Sequence, residues 1–323
     1  MNLKLFYFYV AVFFTASSTH SFAQVIDNTS TFKTIHSKSY FRFQYDNDFF
    51  TKEDRYYTQG ISFEYVHPGL RKFPLSQLLL KPANSNIIYG LGFNLFGYTP
   101  TSILSESILY GDRPYAAAIS LKTFSAASDT INKRRVSSAI NLGVIGSAGL
   151  GKEIQTNIHR WLKNPLPKGW DTQIQNDIIL NYQVNYEKQF LASADNFLFN
   201  GVSELRVGTL DDRLSGGFNL MAGNFKQPFY NADIKKVEYY FYGQALTHIV
   251  GYNATLQGGI FNRKNPYIIS SSDVNRILFE ANAGIVVNFR RLFLSYSQSF
   301  ITKEFQSGTH HRWGGFNIGF TGK

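Results

Sequence analysis

The constraint that most limits this chain is an alternation of period two, repeated at strand length along nearly all of it. Between Ile87 and Phe96, Tyr89, Leu91, Phe93 and Leu95 fall on one face while Gly90, Gly92 and Asn94 fall on the other. Ile61, Phe63 and Tyr65 oppose Ser62 and Glu64 in the same way. Leu180, Tyr182, Val184 and Tyr186 oppose Asn181, Gln183, Asn185 and Glu187. Phe197, Phe199, Leu205 and Val207 oppose Asn200, Glu204 and Arg206, and Leu292, Leu294, Tyr296 and Phe300 oppose Ser295, Ser297 and Ser299. Side chains of a strand point alternately to its two faces, so each segment reads as a strand with one apolar and one polar side.

A soluble sandwich alternates too, but a barrel of this size in water would fill its interior with aliphatic residues. Glu, Arg, Asn and Gln recurring on the second face fit a wet lumen, with the apolar face turned to lipid. Composition agrees: aromatic residues make 16% of the 323 residues and charged residues 17%, the latter well below the usual share of about 25%. Beyond the first 16 residues no apolar run is long enough for a membrane helix, which needs roughly 18 or more. The expected fold is therefore all-β, an antiparallel transmembrane barrel of about twelve strands. The strands are expected near 39–48, 56–66, 87–97, 114–125, 135–145, 178–190, 197–209, 213–223, 236–249, 277–289, 290–301 and 313–321. Tyr252 to Phe261 is read as a rim connection, because bacterial barrels have even strand numbers. Phe320 is the aromatic expected to close the barrel.

Met1 to Ala23 has the form of a cleaved export signal: Lys4, a short apolar stretch from Leu5 to Phe14, and Ser21-Phe22-Ala23 before Gln24. The domain organisation is thus a signal over 1–23 and one barrel domain over 24–323, in the outer membrane. The absence of Cys fits export. A net charge of +10 favours acidic or phosphorylated partners. The basic residues are scattered without a helix or aromatic-basic sheet to organise them, so no nucleic-acid partner is expected.

If the first strand rises from the periplasm, strand parity gathers the polar clusters at one rim. They are Asp46-Asn47-Asp48, Asp54-Arg55-Tyr56-Tyr57-Thr58-Gln59-Gly60, Gly111-Asp112-Arg113-Pro114-Tyr115 and the long connection 146–177. Within that connection Leu150 to Leu162 reads as a helix with Ile154, Ile158, Trp161 and Leu162 as its apolar stripe, stopped by Pro165 and Pro167. Gln155 and His159, four apart, are neighbours on it. His159 beside Gln155, at a rim shared with Asn47, Asp48 and Thr58, supplies a base, a metal-binding carboxylate and neutral donors together. Plainer assignments stand beside this one. The helix could be a plug with His159 only hydrogen-bonded, Asp46-Asn47-Asp48 an ordinary turn, Asp112-Arg113 a salt bridge, and His310-His311 solvated rim residues. No Gly-x-Ser-x-Gly elbow is present, which leaves a hydroxyl nucleophile poorly supported.

In order, Asp46-Asn47-Asp48, Asp54-Arg55-Tyr56-Tyr57-Thr58-Gln59-Gly60, Gly111-Asp112-Arg113-Pro114-Tyr115-Ala116, Gly143-Val144-Ile145-Gly146, Gln155-Thr156-Asn157-Ile158-His159 and Gly169-Trp170-Asp171-Thr172-Gln173 resemble the outer-membrane lipid A 3'-O-deacylase family. The resemblance covers most of the mature chain. It implies a twelve-stranded barrel with its active site between the wall and the loop helix, facing the outer leaflet. It also implies calcium dependence and removal of 3'-linked acyl chains from lipid A, the lipopolysaccharide anchor, by a monomer among outer-membrane lipids. By position, Asn47, Asp48, Thr58, Gln155 and His159 match the family's active-site residues, with Asp48 the candidate calcium ligand. Calcium suits a set of hard oxygens with no Cys. The departures are a connection over 67–86 that is long for a periplasmic turn and lipid-contacting basic residues that do not align. An outer-membrane phospholipase and a non-catalytic pore or adhesin with a plug helix are the competing functions.

Overall fold

The structure, a computed structural model, describes residues 28–51, 55–193, 196–230 and 235–322. The expected export signal lies outside these residues, as does Asp54. Among the described residues twelve antiparallel strands close into a barrel in sequence order, β1 pairing with both β2 and β12. They are β1 (Tyr40–Asn47), β2 (Tyr56–Val66), β3 (Asn86–Thr99), β4 (Ala116–Asp129), β5 (Arg134–Ile145), β6 (Asp177–Ser193), β7 (Phe197–Gly208), β8 (Asp211–Asn224), β9 (Val237–Asn253), β10 (Ile277–Phe289), β11 (Leu292–Ile301) and β12 (His311–Thr321). Tyr252 and Asn253 end β9, and the chain then makes the short helix Ala254–Gln257, so that stretch is a rim connection as expected. The connections 100–115, 146–176 and 254–276 share one end, which is the extracellular side in such barrels, while 67–85 lies at the other. Closure removes every sheet edge and pairs the wall backbone internally, as hydrocarbon requires.

The two faces separate as the alternation predicts. Phe41, Phe63, Tyr65, Leu121, Leu180, Leu205, Ile249, Ile285 and Phe320 are exposed on the outside, while Arg42, Gln44, Glu64, Asn181, Glu187, Asn200, Asn219, Glu280 and Asn317 are buried inside. The inward charges pair between neighbouring strands, as Arg42 with its register partner Glu64 at 3.5 Å. His248 likewise bridges Ser215 (2.8 Å) and Glu280 (3.1 Å).

The lumen is not an open pore. The segment before β1 enters it from the periplasmic end: Phe32 stacks on Tyr242 with ring centroids 4.3 Å apart. Thr31 donates from its backbone N–H (2.8 Å) and hydroxyl (2.6 Å) to the carboxylate of Glu187. At the extracellular end Leu256, Ile269, Val274 and Phe305 pack with Tyr57, Tyr98 and Trp313. Between the two closures lies a polar cavity of about 140 Å³, lined in part by Asn94, Lys122, Asn141, Asn181 and Arg206.

Candidate active site

The loop helix, α1 (Gly151–Leu162), matches the predicted bounds to one residue. It does not plug the lumen; it lies on the outer face of the wall. A Cβ at Gly151 would stand 2.5 Å from that of Ala117 and 2.4 Å from the Trp170 ring. Ala117 shares the outer face of β4 with Leu121, which is 65% exposed. Gly151 is thus the residue that lets the helix backbone approach the sheet. The helix is also inverted with respect to a soluble amphipathic helix: its buried residues are Gly151 and Gln155, while Trp161 of the apolar stripe is 81% exposed and Leu162 51% exposed. Those side chains point away from the wall.

Thr58 meets this helix because β2 carries an irregularity. The register of β2 against β3 shifts between Tyr57 and Gln59, leaving Thr58 as the extra residue of a bulge. Bulges re-aim side chains. Here Tyr57 turns inward to pack on Trp313 at 5.7 Å, and the Thr58 hydroxyl accepts a hydrogen bond from Gln155 Nε2 at 2.9 Å. Trp170 donates its indole N–H to Gln155 Oε1 at 2.7 Å. Since an indole nitrogen only donates, this bond fixes which end of the Gln155 amide faces Thr58. Trp170 is itself held by Tyr115, with ring centroids 4.9 Å apart.

Asn47 ends β1 on the outward-facing parity of Phe41, Phe43 and Tyr45. Its Nδ2 donates to the Thr58 carbonyl and to the Tyr45 hydroxyl at 3.1 Å, while its Oδ1 accepts from Phe49 N–H at 2.7 Å. Asp48, next in sequence, is buried, and its Oδ2 accepts the Arg55 N–H at 2.8 Å. One turn beyond Gln155 on α1, His159 bonds through Nδ1 to the carbonyl of Pro165 at 2.6 Å. A carbonyl only accepts, so Nδ1 carries the hydrogen and the neutral ring holds its lone pair at Nε2.

The structure therefore links Asn47, Thr58 and Gln155 in one hydrogen-bonded chain, with Asp48 adjoining one end and His159 the other. Sequence reasoning missed the part of Trp170, although its segment was among the family-like motifs. Two minor assignments are corrected. Arg113 pairs with Glu304 in the lumen rather than with Asp112, whose carboxylate takes the Thr101 N–H (2.8 Å) and hydroxyl. His311 is wholly buried, not solvated, with Nε2 accepting the Tyr57 N–H at 2.9 Å; the bulge that turns Tyr57 inward creates that bond.

Among the described residues no three His, Cys, Asp or Glu side chains converge. The candidate ligands in this segment are oxygens: the buried carboxylate of Asp48 and, next to it in sequence, the side-chain amide oxygen of Asn47. That chemistry excludes a thiolate or multi-histidine metal centre among these residues and fits calcium, which accepts carboxylate, amide and water oxygens.

A family model described as outer membrane protein LpxR matches residues 7–321. Among solved structures, LpxR from Salmonella typhimurium is similar with a TM-score of 0.73 at 19% identity, covering 88% of this chain and 100% of that one. The beta domain of the Bordetella autotransporter Brka has a TM-score of 0.45 at 8% identity, with 88% and 99% covered. The translocator domain of autotransporter NalP from Neisseria meningitidis has a TM-score of 0.40 at 8% identity, with 87% and 86% covered. No curated protein matches the sequence.

Proposed function

The chain belongs to the outer membrane protein LpxR family, and from that premise and the geometry of the site we propose that it is a lipid A 3'-O-deacylase acting at the outer leaflet. The observation that carries this reading is the placement of α1. The helix that bears His159 is fastened to the lipid-facing side of the wall by Gln155 and Thr58. A luminal channel has no use for a base on the outside of its wall, and both ends of this lumen are filled. A hydrolase whose substrate is a membrane lipid requires that position. Exposed Phe49 and Trp161 lie at the rim beside the site, where such rings sit at headgroup level.

His159 acts as the general base. With Nδ1–H committed to Pro165, Nε2 takes a proton from water, and the oxygen attacks the carbonyl carbon of the 3'-ester. The tetrahedral intermediate collapses by expelling the sugar 3'-oxygen, which receives the proton back from the imidazolium. A free acyl chain and a 3'-hydroxyl result. Asn47, Thr58 and Gln155 hold the helix and hence the imidazole at a fixed height on the wall; the Thr58 hydroxyl hydrogen and the second amide hydrogen of Gln155 are the neutral donors they offer to the developing oxyanion. Asp48 is the residue that would hold calcium, which when bound supplies Lewis-acid polarisation of the ester carbonyl. The N-terminal signal directs export and is removed after Ala23.

Incubating the purified barrel with acyl-labelled lipid A and, separately, with labelled glycerophospholipid, each with calcium or with a chelator, tests this reading. Release of the 3'-linked chain from lipid A, dependent on calcium, supports it. Release from phospholipid alone would reassign the substrate, and no release from either would leave a non-catalytic barrel.

A further inference from the structure

The connection between β2 and β3 lies at the periplasmic end, where the turns 130–133 and 290–291 are short. This one spans 67–85 and folds into two 3-10 turns, Pro68–Lys72 and Pro74–Leu78. It is not a loop hanging in the periplasm but lies flat against the outside of the wall. Leu79 is buried with Tyr89 and Ile140, and Leu70, Leu75 and Tyr182 pack beside them.

A polar seam fastens it. Leu80 N–H donates to Ser138 Oγ at 2.9 Å, Ser125 Oγ donates to the Leu80 carbonyl at 3.2 Å, and Tyr182 donates to the Leu78 carbonyl at 3.1 Å. Ser125 and Ser138 stand on the lipid-facing parity of β4 and β5, where bare hydroxyls and backbone would be costly in hydrocarbon. The segment covers them and becomes the new outer surface.

That surface has a consistent character. Phe73 is 37% exposed, Leu78 65% and Leu80 40%. Arg71 and Lys72 are exposed beside them and make no ion pair among the described residues. No Asp or Glu occurs anywhere from 67 to 85. An apolar strip in the lipid belt, edged by uncompensated cations at the periplasmic boundary, complements an acyl chain ending in an anionic headgroup.

We propose that the 67–85 shelf is a binding surface for an anionic glycerophospholipid of the inner leaflet, its phosphate on Arg71 and Lys72 and an acyl chain along Phe73, Leu78 and Leu80. Lipid A is not the occupant, because the shelf is at the opposite end of the wall from the rim that carries His159. The proposal is independent of the deacylase activity.

The test titrates the purified full-length barrel in detergent with phosphatidylglycerol or phosphatidylcholine of identical chains and counts retained lipids by native mass spectrometry. Wild type should retain phosphatidylglycerol roughly 30-fold better, the order expected for two cations near an anionic headgroup, and Arg71→Gln with Lys72→Gln should fall to the phosphatidylcholine level. Equal retention of the two lipids by wild type, or an undiminished preference in the double variant, would overturn it. Should the double variant not fold to a heat-modifiable barrel, photoactivatable phosphatidylglycerol on wild type decides. Crosslinks concentrated within 70–81 support the shelf, and crosslinks spread evenly around the periplasmic belt contradict it.

Discussion

Gln155 of α1 donates its amide hydrogen to the hydroxyl of Thr58 on β2 across 2.9 Å, and this bond joins the loop helix to the outside of the barrel wall. Trp170 holds the carbonyl end of the same amide at 2.7 Å, which turns its NH2 end toward Thr58. Replacing Trp170 by Phe keeps the ring stacked near Tyr115 but removes the donor. The Gln155 oxygen would then be buried without its partner, at a cost of about 1–3 kcal/mol. Deacylation by Trp170→Phe should fall about ten-fold or more while the barrel stays heat-modifiable. Unchanged turnover would show that the orientation of Gln155 does not matter.

A second prediction concerns the approach of helix to wall. A Cβ at Gly151 would meet the Trp170 ring at 2.4 Å, so Gly151→Val must push α1 outward, with overpacking worth about 1–3 kcal/mol. The wall itself does not depend on that contact. Activity should be largely lost with little change in the temperature at which the barrel unfolds. A drop in that temperature with activity preserved would mean that Gly151 serves only folding.

The proposed calcium dependence assigns the ion to Asp48. Asp48→Asn keeps the size and one oxygen but removes the charge that attracts a divalent ion. The calcium titration of activity should move to higher concentration, or activity should vanish, with the fold intact. Superimposable curves together with reduced thermal stability would instead mark Asp48 as a turn residue whose work is the bond to Arg55 N–H.

The luminal segment makes a prediction about stability. Phe32 is fully buried and stacked on Tyr242, so Phe32→Ala should cost about 3–5 kcal/mol if it forms with the barrel. The heat-modification midpoint should fall clearly and deacylase activity at low temperature should persist. A midpoint equal to wild type would mean the segment is not seated in the lumen.

Much of the wall was legible in the chain because a strand with one face in lipid and one in water must alternate. The expected strand 313–321 became His311–Thr321, and 213–223 became Asp211–Asn224. The helix was legible from its apolar stripe and its prolines, but which side of the wall it takes was not. Its stripe fits a lumen or a membrane equally well, and only the small residues Gly151 and Ala117 decide. Thr58 was legible as a family-like residue, yet simple alternation from Ile61 would have aimed it inward. The bulge that reverses it is a register fact between two strands and leaves no local pattern. The role of Trp170, and the burial of His311 behind Tyr57, were hidden for the same reason: both depend on partners distant in sequence.

The central claim is that His159, held at Nδ1 by the Pro165 carbonyl, is the base of a deacylase on the outer wall. The most direct measurement is the release of 3'-linked acyl chains from lipid A by purified wild type and His159→Ala, with circular dichroism and heat-modified mobility confirming that both are folded. The account predicts calcium-supported release by wild type and a loss of at least about 100-fold in the variant, the scale of a missing general base. Release by His159→Ala within a few-fold of wild type would contradict it.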